Sequence, residues 1–154
     1  MDSCSKSVYQ RFLTHEAGRD NPFASHMGIE IVELSEAGCT GVMTLQPYHF
    51  NPNNGVHGGA LYTLGDNVAG TMALTWGMDH FGKTVDELSV TTVTGTLNFL
   101  RPVKGTKVIG RATPRKMGRT LAVLDVSLTD DQGKETCSGT YTFYYVDRDR
   151  FVNR

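Results

Sequence analysis

The residue pattern predicts an α+β domain, with one central helix wrapped by a curled, mostly antiparallel sheet. Two observations carry this expectation. Leu61, Leu64, Val68 and Met72 fall close to helical spacing within GGALYTLGDNVAGTMALTW, and Ala60, Ala69 and Ala73 add small apolar contacts. No other stretch supports a helix of that length. Beyond it the chain turns to strand texture: LSVTTVTGTLNFLRP, VKGTKVIGRATPRK, RTLAVLDVSLTD and KETCSGTYTFYYV. In the third, Ala122, Leu124, Val126 and Leu128 alternate with Val123, Asp125, Ser127 and Thr129, so the apolar set is expected to face a core.

The remaining elements follow in chain order. Val8, Phe12 and Leu13 give SKSVYQRFLTHEAG a partial apolar stripe, with Gly18 as a helix stop. In NPFASHMG, Asn21 can cap a short helical turn, Pro22 suits its first position, and Gly28 ends it. IEIVEL and GVMTLQPY, separated by SEAG, read as a hairpin. HFNPNNGVHGG is rich in Pro, Gly and Asn and reads as a loop leading into the long helix. WGMDHFGKTVDE is expected to be the loop after that helix. RPVKG and DDQG are expected to close hairpins. The reading is one domain over residues 1–154, with a helical segment near 5–27 and a polar tail near 147–154. Five or six strands leave edges that need covering, and pairing across a two-fold axis is one way to cover them.

Composition narrows the function classes. The 154 residues are 39% hydrophobic and 20% charged, enough apolar material for a core. A net charge of -1 gives no bulk argument for nucleic acid or an anionic membrane. Cys4, Cys39 and Cys137 are widely spaced and odd in number, which suits free thiols and a cytoplasmic setting. MDSCSKSVYQRF lacks the apolar core of a signal peptide, and no run is long enough to span a bilayer. The five histidines form no local metal-ligand motif, so no metal is expected.

Asp66 is the residue that needs explaining. It interrupts an apolar helix, and a buried carboxylate is costly unless paired or hydrogen-bonded. It therefore meets solvent, has a structural partner, or faces a polar site. His57, Gly58 and Gly59 stand where loop becomes helix. The first N–H groups of a helix have no partner inside it, and with the helix dipole they can stabilise negative charge on an oxygen. Gly58 and Asp66 are eight residues apart, about 12 Å along an α-helix. One small carbonyl cannot reach both within one chain, so a site using both must be shared between two copies.

These residues resemble those of the hotdog-fold acyl-CoA thioesterases, in the phenylacetate-pathway thioesterase-like branch. The resemblance runs from NPFASHMGIEIVE to GTYTFYYV. It is most specific in HFNPNNGVHGGALYTLGDNVAG, and TGTLNFLRPVKG and RKMGRTLAVLDVSLTDDQGK share it. It implies a single hotdog domain that hydrolyses a medium-chain or aromatic acyl-CoA to free acid and coenzyme A. Coenzyme A is then part of substrate and product, and no separate cofactor is implied. The resemblance assigns Asp66 as nucleophile or general base and Gly58 as the backbone donor to the thioester carbonyl. Asn51 orients the carbonyl or the attacking water, with Asn53 and Asn54 as alternatives because this loop has Asn54 where many relatives have glycine. His57 binds near the thioester or shapes the loop. Thr92 is the nearest match to a residue that positions water. Arg115, Lys116 and Arg119 are candidates for the coenzyme A phosphates, with Lys104 and Arg101 as alternatives. A homodimer or a dimer-of-dimers homotetramer is implied, with sites at the subunit interface.

Two other readings compete. A hotdog enoyl-CoA hydratase or dehydratase would pair His49 or His57 with Asp66, although the chain lacks the D-x-x-x-x-H pattern of that branch. A non-catalytic acyl-CoA-binding protein would keep the groove without turnover. Tyr62, Met72, Trp76, Met78 and Phe81 are candidates to line an acyl pocket, or are core.

Overall fold

A computed structural model describes residues 6–15, 18 and 20–148. The central helix, α3, spans Gly58–Phe81, and a six-stranded antiparallel sheet packs against it. This is the α+β hotdog arrangement expected from the sequence. Before it come two short helices, α1 (Val8–Leu13) and α2 (Pro22–His26). The strands are β1 (Ile29–Ser35), β2 (Gly38–Thr44), β3 (Leu88–Phe99), β4 (Lys107–Met117), β5 (Leu121–Asp130) and β6 (Glu135–Asp147). They lie in the order β1-β2-β4-β5-β6-β3.

Local chemistry sets the short elements. Ser7 caps α1, its hydroxyl accepting from Gln10 N–H while the Gln10 side chain accepts from Ser7 N–H. Asn21 caps α2 through Ala24 N–H, with Pro22 at the first helical position. α1 ends at Leu13, well before Gly18, because His15 adopts the left-handed conformation at φ 59° and its N–H turns to the Phe12 carbonyl at 3.1 Å. Cys4 and most of the expected C-terminal tail lie outside the described residues.

Three sequence expectations are corrected. The long helix does not stop near Trp76; it continues through GMDHF to Gly82, which ends it in the left-handed conformation at φ 62°. RPVKG is not a hairpin turn. β3 pairs with β6, so the 100–106 connection carries the chain across to β4, which inserts between β2 and β5. GVMTLQPY is strand only to Thr44, and Pro47–His49 form a 3-10 turn. The IEIVEL hairpin and the DDQG hairpin form as expected.

The core sits between α3 and the inner face of the sheet. Leu64, Val68, Met72, Leu124 and Leu128 are completely buried, and a leucine so placed contributes about 1.5–3 kcal/mol. Because the sheet curls round it, α3 carries little polar surface over its middle turns. Tyr141, Phe143 and Tyr145 alternate along β6 and press on the helix where it has glycine. A Cβ built on Gly65 would stand 2.7 Å from the Tyr141 hydroxyl, and one on Gly77 would stand 2.5 Å from the Tyr145 ring. Each tyrosine then donates to a helix carbonyl, Tyr141 to Tyr62 and Tyr145 to Ala73, both at 3.1 Å. The glycines inside an otherwise good helix are therefore explained by close approach of the sheet.

Candidate active site

Asp66 follows Gly65 by one residue, and its side chain turns away from the tyrosine contact. It reaches the wall of an open cleft of about 800 Å³. α1 and α2 bound one side of this cleft, α3 another, and β1, β3 and β6 supply the rest. The carboxylate is half-buried, and Thr92 Oγ1 donates to its Oδ1 at 2.8 Å. Burial raises the Asp66 pKa above the ordinary carboxylate value, and the Thr92 hydrogen bond works against that rise. A carboxylate with one fixed donor and one oxygen facing a cleft is equipped to accept a proton or to attack.

Thr92 reaches Asp66 because of the sheet's register. It pairs with Phe143, at the position where β3 bulges around Val93. Phe143 is a core residue, so Thr92 shares its face of the sheet and points toward α3.

The other end of the motif lies at the start of α3. His57 is the N-cap, and its Nδ1 accepts from Gly59 N–H at 2.9 Å. Gly58 N–H has no hydrogen-bond partner among the described residues. A Cβ at Gly58 would stand 3.3 Å from the ring of Phe99, at the far end of β3 from Thr92. Two independent measures thus separate Gly58 from Asp66 within one chain. They are two helical turns apart on α3, and their neighbours on β3 are seven residues apart, roughly 20 Å along a strand.

Asn51 organises the preceding loop. Its Oδ1 accepts from Asn53 N–H at 2.9 Å and Gly55 N–H at 3.1 Å, and its own N–H donates to the Gly55 carbonyl at 2.8 Å. The amide Nδ2 is the part of Asn51 left for a ligand. Asn54 adopts φ 60°, a left-handed conformation. Asparagine tolerates that conformation better than most residues. His49 is buried, its Nδ1 accepts from Gln46 N–H at 2.9 Å, and its carbonyl receives His57 N–H at 2.7 Å. Burial lowers its pKa. His49 and His57 both use Nδ1 to hold backbone, and neither is hydrogen-bonded to Asp66.

The basic candidates fall into two groups, all exposed. Met117, Ala122, Phe143 and Thr92 are successive partners across four strands. The turn between β4 and β5 that carries Arg119, with Lys116 beside it, is therefore at the Thr92 end of the sheet. Arg115 is on the outer face, 3.2 Å from Asp125. Arg101 and Lys104 follow β3 at its other end, where Leu100 N–H donates to the Thr136 carbonyl.

The residues first considered for an acyl pocket do not line this cleft. Met72 and Met78 are core, Tyr62 donates to the Gly95 carbonyl at 3.2 Å, and Trp76 stacks on His80. Its apolar wall is instead built from Phe12, Leu13, Leu74, Leu88, Val90 and Phe143. That wall depends on folding α1 over the sheet, which periodicity within single elements does not reveal. Among the described residues there is no group of side chains arranged to hold a metal ion, and no helix long and apolar enough to cross a membrane.

Known proteins share the fold and part of the sequence. A Haemophilus influenzae protein bearing the provisional name of esterase is 30% identical over 126 residues, which is 82% of this chain and 86% of that protein. The acyl-coenzyme A thioesterase PaaI of Escherichia coli is 26% identical over 121 residues, 78% of this chain and 79% of that protein. The crystal structure of a Haemophilus influenzae thioesterase superposes with a TM-score of 0.71 at 25% identity, covering 80% of this chain and 82% of that one. The Escherichia coli PaaI structure gives 0.75 at 20% identity, covering 88% and 91%, and so shares the fold. The sequence profile of the thioesterase superfamily matches residues 53–137, more than half the chain, from Asn53 within the loop through Asp66 to the first residues of β6. This chain belongs to the thioesterase superfamily.

Proposed function

We propose that the chain hydrolyses the thioester of a medium-chain or aromatic acyl-CoA, as a member of the phenylacetate-pathway thioesterase-like branch. The observation that carries this reading is Asp66: a half-buried carboxylate, held by Thr92, on the wall of a part-apolar cleft. The superfamily supports hydrolysis in general, and the name of the Escherichia coli relative supports acyl-CoA as the substrate class.

The site is completed by a second copy. The far edge of β3 has no strand partner among the described residues, and Val93 and Phe99 on it are exposed. Antiparallel pairing of two β3 strands covers both edges. Thr92 marks the position of Asp66 and Phe99 that of Gly58. Setting Thr92 of one copy opposite Phe99 of the other brings the two halves together, with the axis between Gly95 and Thr96. The same pairing brings Lys116 and Arg119 of one copy toward the end of the other that carries Arg101 and Lys104. That convergence supplies charge for the coenzyme A phosphates.

In this arrangement Gly58 N–H donates to the thioester carbonyl at the start of α3, where the helix dipole favours developing negative charge. Asp66 of the other copy takes a proton from water, or attacks the carbonyl carbon itself. Asn51 Nδ2 orients the carbonyl or the water. The C–S bond breaks and coenzyme A leaves as thiolate; where Asp66 itself attacks, water then cleaves the acyl–Asp66 anhydride to the free acid and the carboxylate. Thiol release from short, medium, long and aromatic acyl-CoAs, with wild type beside Asp66→Asn, tests the reading. Selective release by wild type and its loss in the variant are expected. Release unchanged in Asp66→Asn would remove Asp66 from its role.

A further inference from the structure

The cleft that begins at Asp66 has a charged far end. Along α3 its wall runs through Asn67, Gly70 and Thr71 to Leu74, eight residues and about 12 Å from Asp66. Along β6 it runs from Phe143, the partner of Thr92, to Arg148. Between these limits the wall is mixed: Phe12, Leu13, Val90, Leu88 and Leu74 supply an apolar strip beside polar Asn67, Thr71 and Ser89. An acyl chain laid from Asp66 along this wall ends near Arg148.

Among the described residues, no carboxylate pairs with Arg148. Its backbone N–H donates to the Glu87 carbonyl at 2.9 Å, which fixes it at the cleft end. Its Nε is buried and has no hydrogen-bond partner among the described residues. Two neighbouring carboxylates are committed elsewhere. Asp147 pairs with Lys83 at 2.8 Å, and Glu87 Oε2 accepts from Thr84 N–H and Oγ1 at 2.8 and 2.9 Å. His15, Asp20 and Glu30 also contribute to the lining, and both acids are exposed to solvent. A buried guanidinium donor without an acceptor is costly unless a ligand or water supplies one. Arginine is suited to a carboxylate, which its planar fork can take with two parallel bonds.

We propose that Arg148 is a specificity residue for acyl groups whose far end carries a carboxylate, so that the preferred substrates are mono-CoA thioesters of medium-chain dicarboxylic acids. This deepens the hydrolase reading above and rests on it for the orientation of the acyl chain. No new bond chemistry is involved; Arg148 holds the distal carboxylate while the thioester lies at Asp66.

The test uses non-hydrolysable thioether analogues of suberyl- and sebacyl-CoA against those of octanoyl- and decanoyl-CoA, titrated calorimetrically into the full chain. Carboxylate-ended analogues are expected to bind roughly tenfold tighter or better than methyl-ended ones of equal length, the range of a charge-assisted hydrogen bond. Arg148→Gln should abolish that difference while leaving methyl-ended binding within about twofold. Equal binding of both series by wild type overturns the proposal, as does a preference that survives in Arg148→Gln. Equal weakening of both series in Arg148→Gln also overturns it, by making the residue structural. Thiol release from the corresponding thioesters separates the two readings. A binding preference with no release upholds the anion site and defeats the hydrolase.

Discussion

Gly65 and Asp66 are adjacent on α3 and obey different constraints. Gly65 is buried under Tyr141, and there is no room for a Cβ. Asp66 turns toward open space and is held by a single hydroxyl from β3. One position is set by packing against β6, and the other opens on the cleft. The contrast continues along the helix, where Gly77 meets Tyr145 while Thr71 and Leu74 line the cleft. The lesson is that an anomalous residue in a helix needs its face identified before its role. Helix glycines are as unusual here as the aspartate, yet sheet contact explains them completely.

The largest effect should come from the cleft side. Asp66→Asn is expected to lower kcat/KM for thioester hydrolysis by about 10²–10⁴-fold, the range for a positioned acid–base group. It should not unfold the protein. Because burial raises the Asp66 pKa in the folded state, the folded chain holds this proton more tightly than the unfolded chain. The contribution of Asp66 to stability therefore falls as pH rises from its unfolded value through its folded value. Asn removes that loss. Denaturant titrations should find the variant at least as stable as wild type at pH 7, with any advantage vanishing below about pH 4.

The packing side should give the reverse pattern. Gly65→Ala places a methyl 2.7 Å from the Tyr141 hydroxyl, and overpacking of this kind costs about 1–3 kcal/mol. The urea midpoint should fall, while the activity of the remaining folded protein is retained. If Gly65→Ala abolished turnover at unchanged stability, the division between the two faces would be wrong.

A smaller effect sharpens the same division. Thr92→Val removes the donor that holds the Asp66 pKa down. The acid limb of the kcat/KM–pH profile should move to higher pH, with the loss greatest on the acid side and shrinking as pH rises. A uniform loss across pH would mean that Thr92 acts on something other than the Asp66 proton.

Much of this could be read from the sequence, and the failures have physical causes. The alternation in β5 gave the correct buried face, because period-two burial is a property of one strand. Asn21, Pro22 and the apolar spacing of α3 were equally local signals. RPVKG misled because a Pro-Gly turn looks the same whether the next strand pairs beside it or crosses the sheet. The Thr92–Asp66 contact depends on a bulge and on the β3–β6 register, so the TTVT run could suggest it without fixing it. The cleft wall at Phe12, Leu13 and Leu88 is assembled from distant segments. Arg148 carried no signal in a polar C-terminal run and gained one only from its place at the cleft end.

The central claim is that one site takes Gly58 from one copy and Asp66 from another. Subunit complementation tests it most directly. Asp66→Asn and Gly58→Val chains, each folded and each inactive alone, would be dissociated together and allowed to reassociate. The account predicts that activity returns, toward about a quarter of wild type, since half the random dimers are mixed and each mixed dimer has one intact site of two. Mixed dimers that remain inactive would contradict it.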